Sequence, residues 1–168
     1  RGEICDLGCG PGHRAAYMQE RGAAVRGIDL SPEMVRQATH LYPAITFQVG
    51  DMLHLRDVAD GAFGGIAALY SIIHIPRERA AKALGEMRRV LRPGGALLLA
   101  FHLGEQVAHR DEFLGAAVSL DFVFFRSDEM HGYLAEAGFV IEETIERDPY
   151  PEVEYQGRRS YIFARTPA

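Results

Sequence analysis

Asp6, Gly8, Gly10, Gly12 and Asp29 are the residues whose types and spacing could do chemistry together. An apolar pair, Ile4-Cys5, leads into Asp6, and three glycines follow at every second position from Gly8 to Gly12. Glycine reaches backbone angles that other residues avoid, and it leaves nothing hanging off the chain to block a ligand. A helix-compatible segment, Arg14 to Arg21, begins behind the turn. A helix start presents free N–H groups and the positive end of a dipole. A turn of this kind holds part of a nucleotide-like ligand against bare backbone. Asp29 closes a second apolar segment, Ala23 to Ile28, and lies 21 positions after Gly8. That is where a carboxylate accepting hydrogen bonds from ribose hydroxyls belongs.

Further polar residues end later apolar segments. Asp51 follows the alternating run Ile45 to Val49, Tyr70 ends Phe63 to Leu69, and His102 follows Ala96 to Phe101. His74 lies just beyond the fourth of these segments. An imidazole at either histidine could take a proton near neutral pH. His74, within Ile72-Ile73-His74-Ile75, reads first as a buried, hydrogen-bonded histidine and second as a base. His102 is open between the two roles.

Elements must position these residues. Ser31-Pro32-Glu33 opens a helix: serine caps, proline suits the first helical position, and an acid suits the first turn. Met34, Val35, Ala38 and Leu41 form its apolar face. Leu53 to Val58 reads as a short helix or turn. The continuously apolar Phe63 to Tyr70 reads as a buried parallel strand. Pro76 starts a long helix to about Leu91, with Ala80, Ala83, Leu84, Met87, Val90 and Leu91 as its core stripe. Arg92-Pro93-Gly94-Gly95 turns the chain into a fifth strand at Ala96. Ser127-Asp128-Glu129 caps a helix that Gly138 ends. Phe139 to Ile145 and Ser160 to Ala164 are the last strands, joined by the Pro149 to Gly157 loop. A loop that short is a hairpin, so this pair is antiparallel. Strands alternating with helices specify an α/β fold with a doubly wound, Rossmann-like sheet, and its ligand crevice lies beyond the carboxyl ends of the strands. The expected order of the seven strands is 3-2-1-4-5-7-6, with the last antiparallel.

The glycine spacing separates two cofactor classes. The dinucleotide fingerprint is Gly-x-Gly-x-x-Gly; here the third glycine comes one position early, and Asp6 precedes the set. Asp6-Leu7-Gly8-Cys9-Gly10-Pro11-Gly12 resembles the first motif of class I S-adenosylmethionine-dependent methyltransferases of the small-molecule type. Gly27-Ile28-Asp29-Leu30-Ser31-Pro32-Glu33-Met34, Gly50-Asp51-Met52 and Leu91-Arg92-Pro93-Gly94-Gly95 are similar to later motifs of that family, in the family's order.

The resemblance implies S-adenosyl-L-methionine as cofactor. Its expected site comprises Asp6, Gly8, Cys9, Gly10 and Gly12 near the methionyl part, and Asp29 on the ribose hydroxyls. Asp51 then meets the adenine amino group, with Leu30, Met34, Met52 and Leu53 around the purine. Backbone carbonyls at Leu69 or Tyr70 meet the ammonium group. Met34 is open between purine contact and plain helix core. Tyr70, His74 and His102 are the candidate catalytic residues, and Tyr70 either lines the methyl-transfer site or packs. Transfer from a sulfonium needs mainly in-line positioning, so it requires neither a metal nor a fixed base. Two rivals stay open: a nicotinamide-dependent oxidoreductase, against which the glycine spacing and terminal hairpin count, and a non-catalytic S-adenosylmethionine-binding module.

The 168 residues, 48% apolar and 24% charged, suit a single domain with a real core. A net charge of −5 argues against a broad nucleic-acid surface. No apolar run approaches a membrane span of ~18 residues. Cys5 and Cys9 read as reduced, in a cytoplasmic protein. The expected partner is therefore a small, partly apolar acceptor, with neither nucleic acid nor membrane; the sequence does not fix the oligomeric state. Residues 103–126 read as a substrate-side insertion in the single domain 1–168. Phe122 to Phe125 is expected to wall an apolar pocket there, and His109 to face solvent. The family has helices before its first strand, which here starts near Ile4. On that reading the crevice is open, Tyr70, His74, His102 and Phe122–Phe125 are partly solvent-facing, and cofactor affinity is weak.

Overall fold

The structure is a computed structural model that describes residues 2–113 and 116–168. Four parallel strands with intervening helices come first: β1 (Ile4–Leu7), α1 (His13–Glu20), β2 (Val25–Asp29), α2 (Pro32–Leu41), β3 (Thr46–Val49) and β4 (Phe63–Leu69). Next come α3 (Ala80–Val90), β5 (Leu91–His102), a hairpin of β6 (Val107–Phe113) and β7 (Ala116–Val123), and α4 (Ser127–Glu136). The chain closes with β8 (Val140–Arg147) and β9 (Arg159–Arg165). The main sheet has the order β3-β2-β1-β4-β5-β9-β8. β1 to β5 pair in parallel, and β9 runs antiparallel to both β5 and β8. This is the expected seven-stranded order, once the separate hairpin β6–β7 is numbered into the chain.

The stripe read for the long helix is buried as expected. Ala80, Ala83, Leu84, Met87 and Val90 pack into a core with Phe63, Leu97, Leu99, Phe101, Phe125, Met130 and Leu134. A smaller cluster of Ala15, Ala16, Val25 and Ile45 packs separately. Burial of this kind contributes about 1.5–3 kcal/mol per large side chain, so the sheet is a rigid base for the loops at its edge.

Four local readings change. The long helix begins at Ala80, because Arg77–Arg79 after Pro76 forms a 3-10 turn. β5 begins at Leu91: Leu91 pairs with Phe63 and Ala96 with Gly65, so Arg92 to Gly95 bulge out of the strand around Gly94 at φ +68. Ser31 caps α2 by accepting from the Met34 amide, but Ser127 is not a cap. Arg126 takes the cap position of α4, and Ser127 bonds the buried Ser160 hydroxyl instead. In α2 only Ala38 of the expected apolar face is buried; Met34 and Leu41 are exposed.

β2 lies so close to its surroundings that Gly27 has no room for a side chain. A Cβ there would sit 2.3 Å from the Phe47 ring and 2.9 Å from Cys9 Sγ. Gly27→Ala is expected to lower stability by about 1–3 kcal/mol through overpacking, read as a fall in the thermal unfolding midpoint. An unchanged midpoint would contradict this packing.

Candidate functional site

The glycine turn is shaped by backbone that only glycine holds cheaply. Gly8, Gly10 and Gly12 have φ of +75, +52 and +85. Gly8 answers to the protein: a Cβ there would meet Ser71 Cβ at 2.2 Å, and the Ser71 hydroxyl donates to the Leu7 carbonyl at 2.7 Å. Gly10 answers to nothing in the protein, since a Cβ there would enter open space. The amides of Gly8 and Cys9 both donate to the Ile28 carbonyl, tying the turn to β2.

Asp29 fastens the same turn from the other side. Its Oδ2 accepts from the Gly10 amide at 2.8 Å and its Oδ1 from the Ser31 amide at 2.9 Å. A carboxylate offers about four lone-pair sites, so acceptor capacity remains on both oxygens. Leu30 is 67% exposed and Met34 36%, so both stand open beside Asp29. Asp51, beyond β3, accepts from the Leu53 amide at 2.8 Å, and its other oxygen lies 3.7 Å from His54 Nδ1. Met52 is half-buried. Leu53, expected around the purine, is buried in the main core.

Asp6 is fully buried, and neither carboxyl oxygen has a hydrogen-bond partner among the described residues. Burial pushes its pKa up to about 6. Arg14 and the nearby Ala15 amide, whose approach falls short of a formed hydrogen bond, favour the charged form but do not outweigh the loss of water. Arg14 Nη1 donates to the Leu69 carbonyl at 2.9 Å. One lone pair of a carbonyl expected to meet an ammonium group is therefore already taken by a guanidinium.

Beyond β4 and β5 lies an aromatic cluster. Tyr70 has φ +56, a left-handed conformation rare for an aromatic residue, and such strain gathers at functional sites. Its hydroxyl lies 2.8 Å from that of Tyr161, and burial foremost pushes its pKa up to about 12. The His102 ring is 5.0 Å from Tyr70, 5.5 Å from Phe124 and 5.2 Å from Tyr155. His102 Nδ1 is buried without a partner among the described residues. Burial, then the Arg159 charge, lowers its pKa, so the imidazole is neutral at neutral pH.

The other candidates separate from this cluster. His74 is exposed, against its reading as a buried histidine and in keeping with the solvent-facing position expected of an open crevice; its Nδ1 lies 3.1 Å from the Asp121 carbonyl and its ring 4.9 Å from Phe122. It is the last residue of the 3-10 turn Ile72–His74, which presents it to the hairpin instead of the core. His109 faces solvent as expected, between Asp111 and Asp121. Of the segment expected to be partly solvent-facing, Phe122 is half-buried, while Val123, Phe124 and Phe125 are buried. Phe124 packs on His102, and Phe125 on Phe101. The sequence reading missed Arg14, Arg159 and Tyr155. Arg159 was discoverable, because the residue opening an antiparallel last strand must lie beside the carboxyl end of its parallel neighbour; it pairs with His102.

Among the described residues, no group of three or more His, Cys, Asp or Glu is placed to hold a metal ion. No described helix is long and apolar enough to cross a membrane. A methyltransferase-domain family profile matches residues 4–95, more than half of the chain. The chain belongs to the class I S-adenosylmethionine-dependent methyltransferase family.

It is 33% identical over 99 residues to a malonyl-[acyl-carrier protein] O-methyltransferase of Pectobacterium atrosepticum, covering 58% of this chain and 38% of that protein. It is 32% identical over 114 residues to a 23S rRNA (guanine(748)-N(1))-methyltransferase of Streptomyces fradiae, covering 67% of this chain and 38% of that protein. The chain thus spans about two-fifths of the length of these relatives. A solved S-adenosylmethionine-dependent methyltransferase from Methanosarcina mazei shares the fold, with a TM-score of 0.85 at 20% identity over 98% of this chain and 92% of that one.

The family's methyl donor fits the residues present. The orphaned Asp6 oxygens supply acceptors for an ammonium group, the open side of Gly10 leaves room beside the backbone, and Asp29 retains lone pairs for two ribose hydroxyls.

The sign of the Asp6 effect is testable in the methyltransferase chain. Its folded pKa is raised from 3.8 to about 6. Its contribution to stability is therefore full below pH ~4 and lost as pH rises through ~6, a loss of up to about 3 kcal/mol. Asp6→Asn is expected to raise the ligand-free unfolding midpoint at pH 8 and leave it nearly unchanged at pH 4. Its affinity for S-adenosylhomocysteine, whose ammonium group would lose an anionic partner, should fall. Parity with the native chain at pH 8 would contradict the buried charge.

Proposed function

We propose that this chain transfers a methyl group from S-adenosyl-L-methionine to a small, partly apolar acceptor, by positioning donor and acceptor in line and without a metal. The observation that carries the reading is the buried, unpartnered Asp6 carboxyl behind the glycine turn. It adjoins strand ends that bear Asp29 on one side and Tyr70 and His102 on the other.

In this reading Asp6 and the Gly8 and Gly10 backbone hold the methionyl part, with Cys9 and Gly12 shaping the turn. Asp29 holds the ribose hydroxyls. Asp51 meets the adenine, and Leu30, Met34 and Met52 cover its faces, with Leu53 supporting from the core. The cofactor supplies an electrophilic sulfonium methyl. The neutral His102 imidazole can accept a proton at Nδ1 when the acceptor carries one. Tyr70 orients the acceptor beside the methionyl end.

An acceptor of small size is supported by the aromatic enclosure of His102 and by a net charge of −5, which gives phosphate backbones little attraction. Residues 103–126, including the β6–β7 hairpin, act as a substrate-side insertion in a single domain; Phe124 against His102 and Phe122 against His74 support this.

Calorimetry with S-adenosylhomocysteine tests the cofactor half. Asp29→Ala should weaken binding by about 1.5–3 kcal/mol, the worth of hydrogen bonds to a charged group. Asp29→Asn, which keeps one acceptor oxygen, should fall between. Transfer of labelled methyl across a panel of small acids, phenols, amines and RNA tests the acceptor half. Unchanged affinity in Asp29→Ala, or transfer to RNA alone, would overturn the corresponding half.

A further inference from the structure

Two buried polar atoms without partners lie on facing residues of one strand pair. His102 and Arg159 are register partners on β5 and β9, and both His102 Nδ1 and Arg159 Nε are orphaned among the described residues. The Arg159 side chain is only 4% exposed, so this N–H donor has no ready access to water. Leaving such a donor unpaired costs about 1–3 kcal/mol, more for a charged group. A ligand that accepts from it would recover that cost.

The surroundings define the ligand's charge. Arg159 and Arg147 both bond the same carboxylate, Glu154. The remaining polar groups on the two arginines are neutral: the Tyr70 and Tyr161 hydroxyls, and the loop carbonyls of Asp148, Tyr155 and Gly157. Two cations share one anion at this inner position, while the balancing carboxylates, Glu146 and Asp148, lie outward on the exposed Arg158, so the positive excess is local to Arg147 and Arg159. Its shape is set by rings. The Arg159 guanidinium lies 5.9 Å from the centre of the Tyr70 ring, and Tyr70, Phe124 and Tyr155 surround His102. Tyr155 is 55% exposed and Tyr70 and His102 half-buried, so aromatic faces remain open to a flat molecule.

We infer that the acceptor is a planar organic acid, an aromatic or conjugated carboxylate, with its anionic group on Arg159 and its ring against Tyr70, His102 and Tyr155. Arg159 is then the residue that selects for charge, and the aromatic trio the part that selects for flatness. The inference rests on the methyl-transfer reading for calling this ligand the acceptor, and Tyr70 supplies the link. It follows Leu69, whose carbonyl faces the Arg14 and Asp6 end of the cofactor site.

The test uses the whole chain with 4-hydroxybenzoate and its neutral isostere 4-hydroxybenzamide, titrated by calorimetry with and without saturating S-adenosylhomocysteine. The acid should bind at least about tenfold more tightly than the amide, as expected for a charge-assisted hydrogen bond. Arg159→Gln should reduce that preference to about twofold or less. Because Arg159 is buried and its replacement can unfold the chain, the native chain carries a second readout: the acid should shift the NMR resonances of the His102 ring at concentrations about tenfold lower than the amide does. Equal affinities, no binding of the acid, or an acid preference that survives Arg159→Gln would overturn the inference. Binding of S-adenosylhomocysteine without binding of the acid would sink this inference alone. Binding of the acid without S-adenosylhomocysteine would sink the methyl-transfer reading and leave an anion site.

Discussion

The Asp29 carboxylate, shared between the amides of Gly10 and Ser31, is the interaction on which the rest of the site depends. Charge-assisted bonds of this type are about twice as strong as neutral ones. They fasten the glycine turn after β1 to the start of α2, so the two loops are tied through one side chain. The parallel pairing of β1 with β2 places Gly8 and Cys9 over the Ile28 carbonyl, and Gly27 is bare because the Phe47 ring and Cys9 leave no room. Sheet register, glycine placement and carboxylate position are therefore one constraint. The same oxygens that hold the loops keep lone pairs for a ligand, so the turn is formed before anything binds.

Around this anchor the fold tolerates several unfavourable features. Asp6 is buried without a partner, Tyr70 is held in a left-handed conformation, and Arg159 keeps an unpaired donor in the interior. Each costs on the order of 1–3 kcal/mol. All three lie at the carboxyl ends of the parallel strands or beside them. The opposite expenditure is in the core, where Phe63, Leu99 and Phe101 are fully buried between the sheet and α3 and α4. Strain collected at one edge and compact packing beneath it is the distribution a binding site requires.

The sheet order was legible, and so was the position of Asp29 at a strand end beside the glycine turn, because both follow from short-range rules. Apolar segments alternate with helical ones, and the terminal loop is too short for a crossover. The β6–β7 hairpin was not legible, since His109, Arg110, Asp111 and Glu112 are consecutive and exposed, and no face of that strand reads as apolar. Leu53 and His74 exchanged environments relative to expectation: a loop leucine fills the core, while a histidine flanked by isoleucines points outward. Tertiary packing decides such positions, and periodicity in a segment of a few residues does not. Arg14 on the Leu69 carbonyl spans 55 positions of sequence, and no local pattern announces it.

Amide hydrogen exchange with and without S-adenosylhomocysteine tests most directly whether three separate strand ends form one cofactor site organised by Asp29. The Gly10 and Ser31 amides, both bonded to Asp29, and the Leu53 amide, bonded to Asp51, should all exchange more slowly with the ligand bound. The His109 and Arg110 amides in the hairpin should be unaffected. Slowing confined to a single loop, or no change at Gly10 and Ser31, would contradict a shared site centred on Asp29.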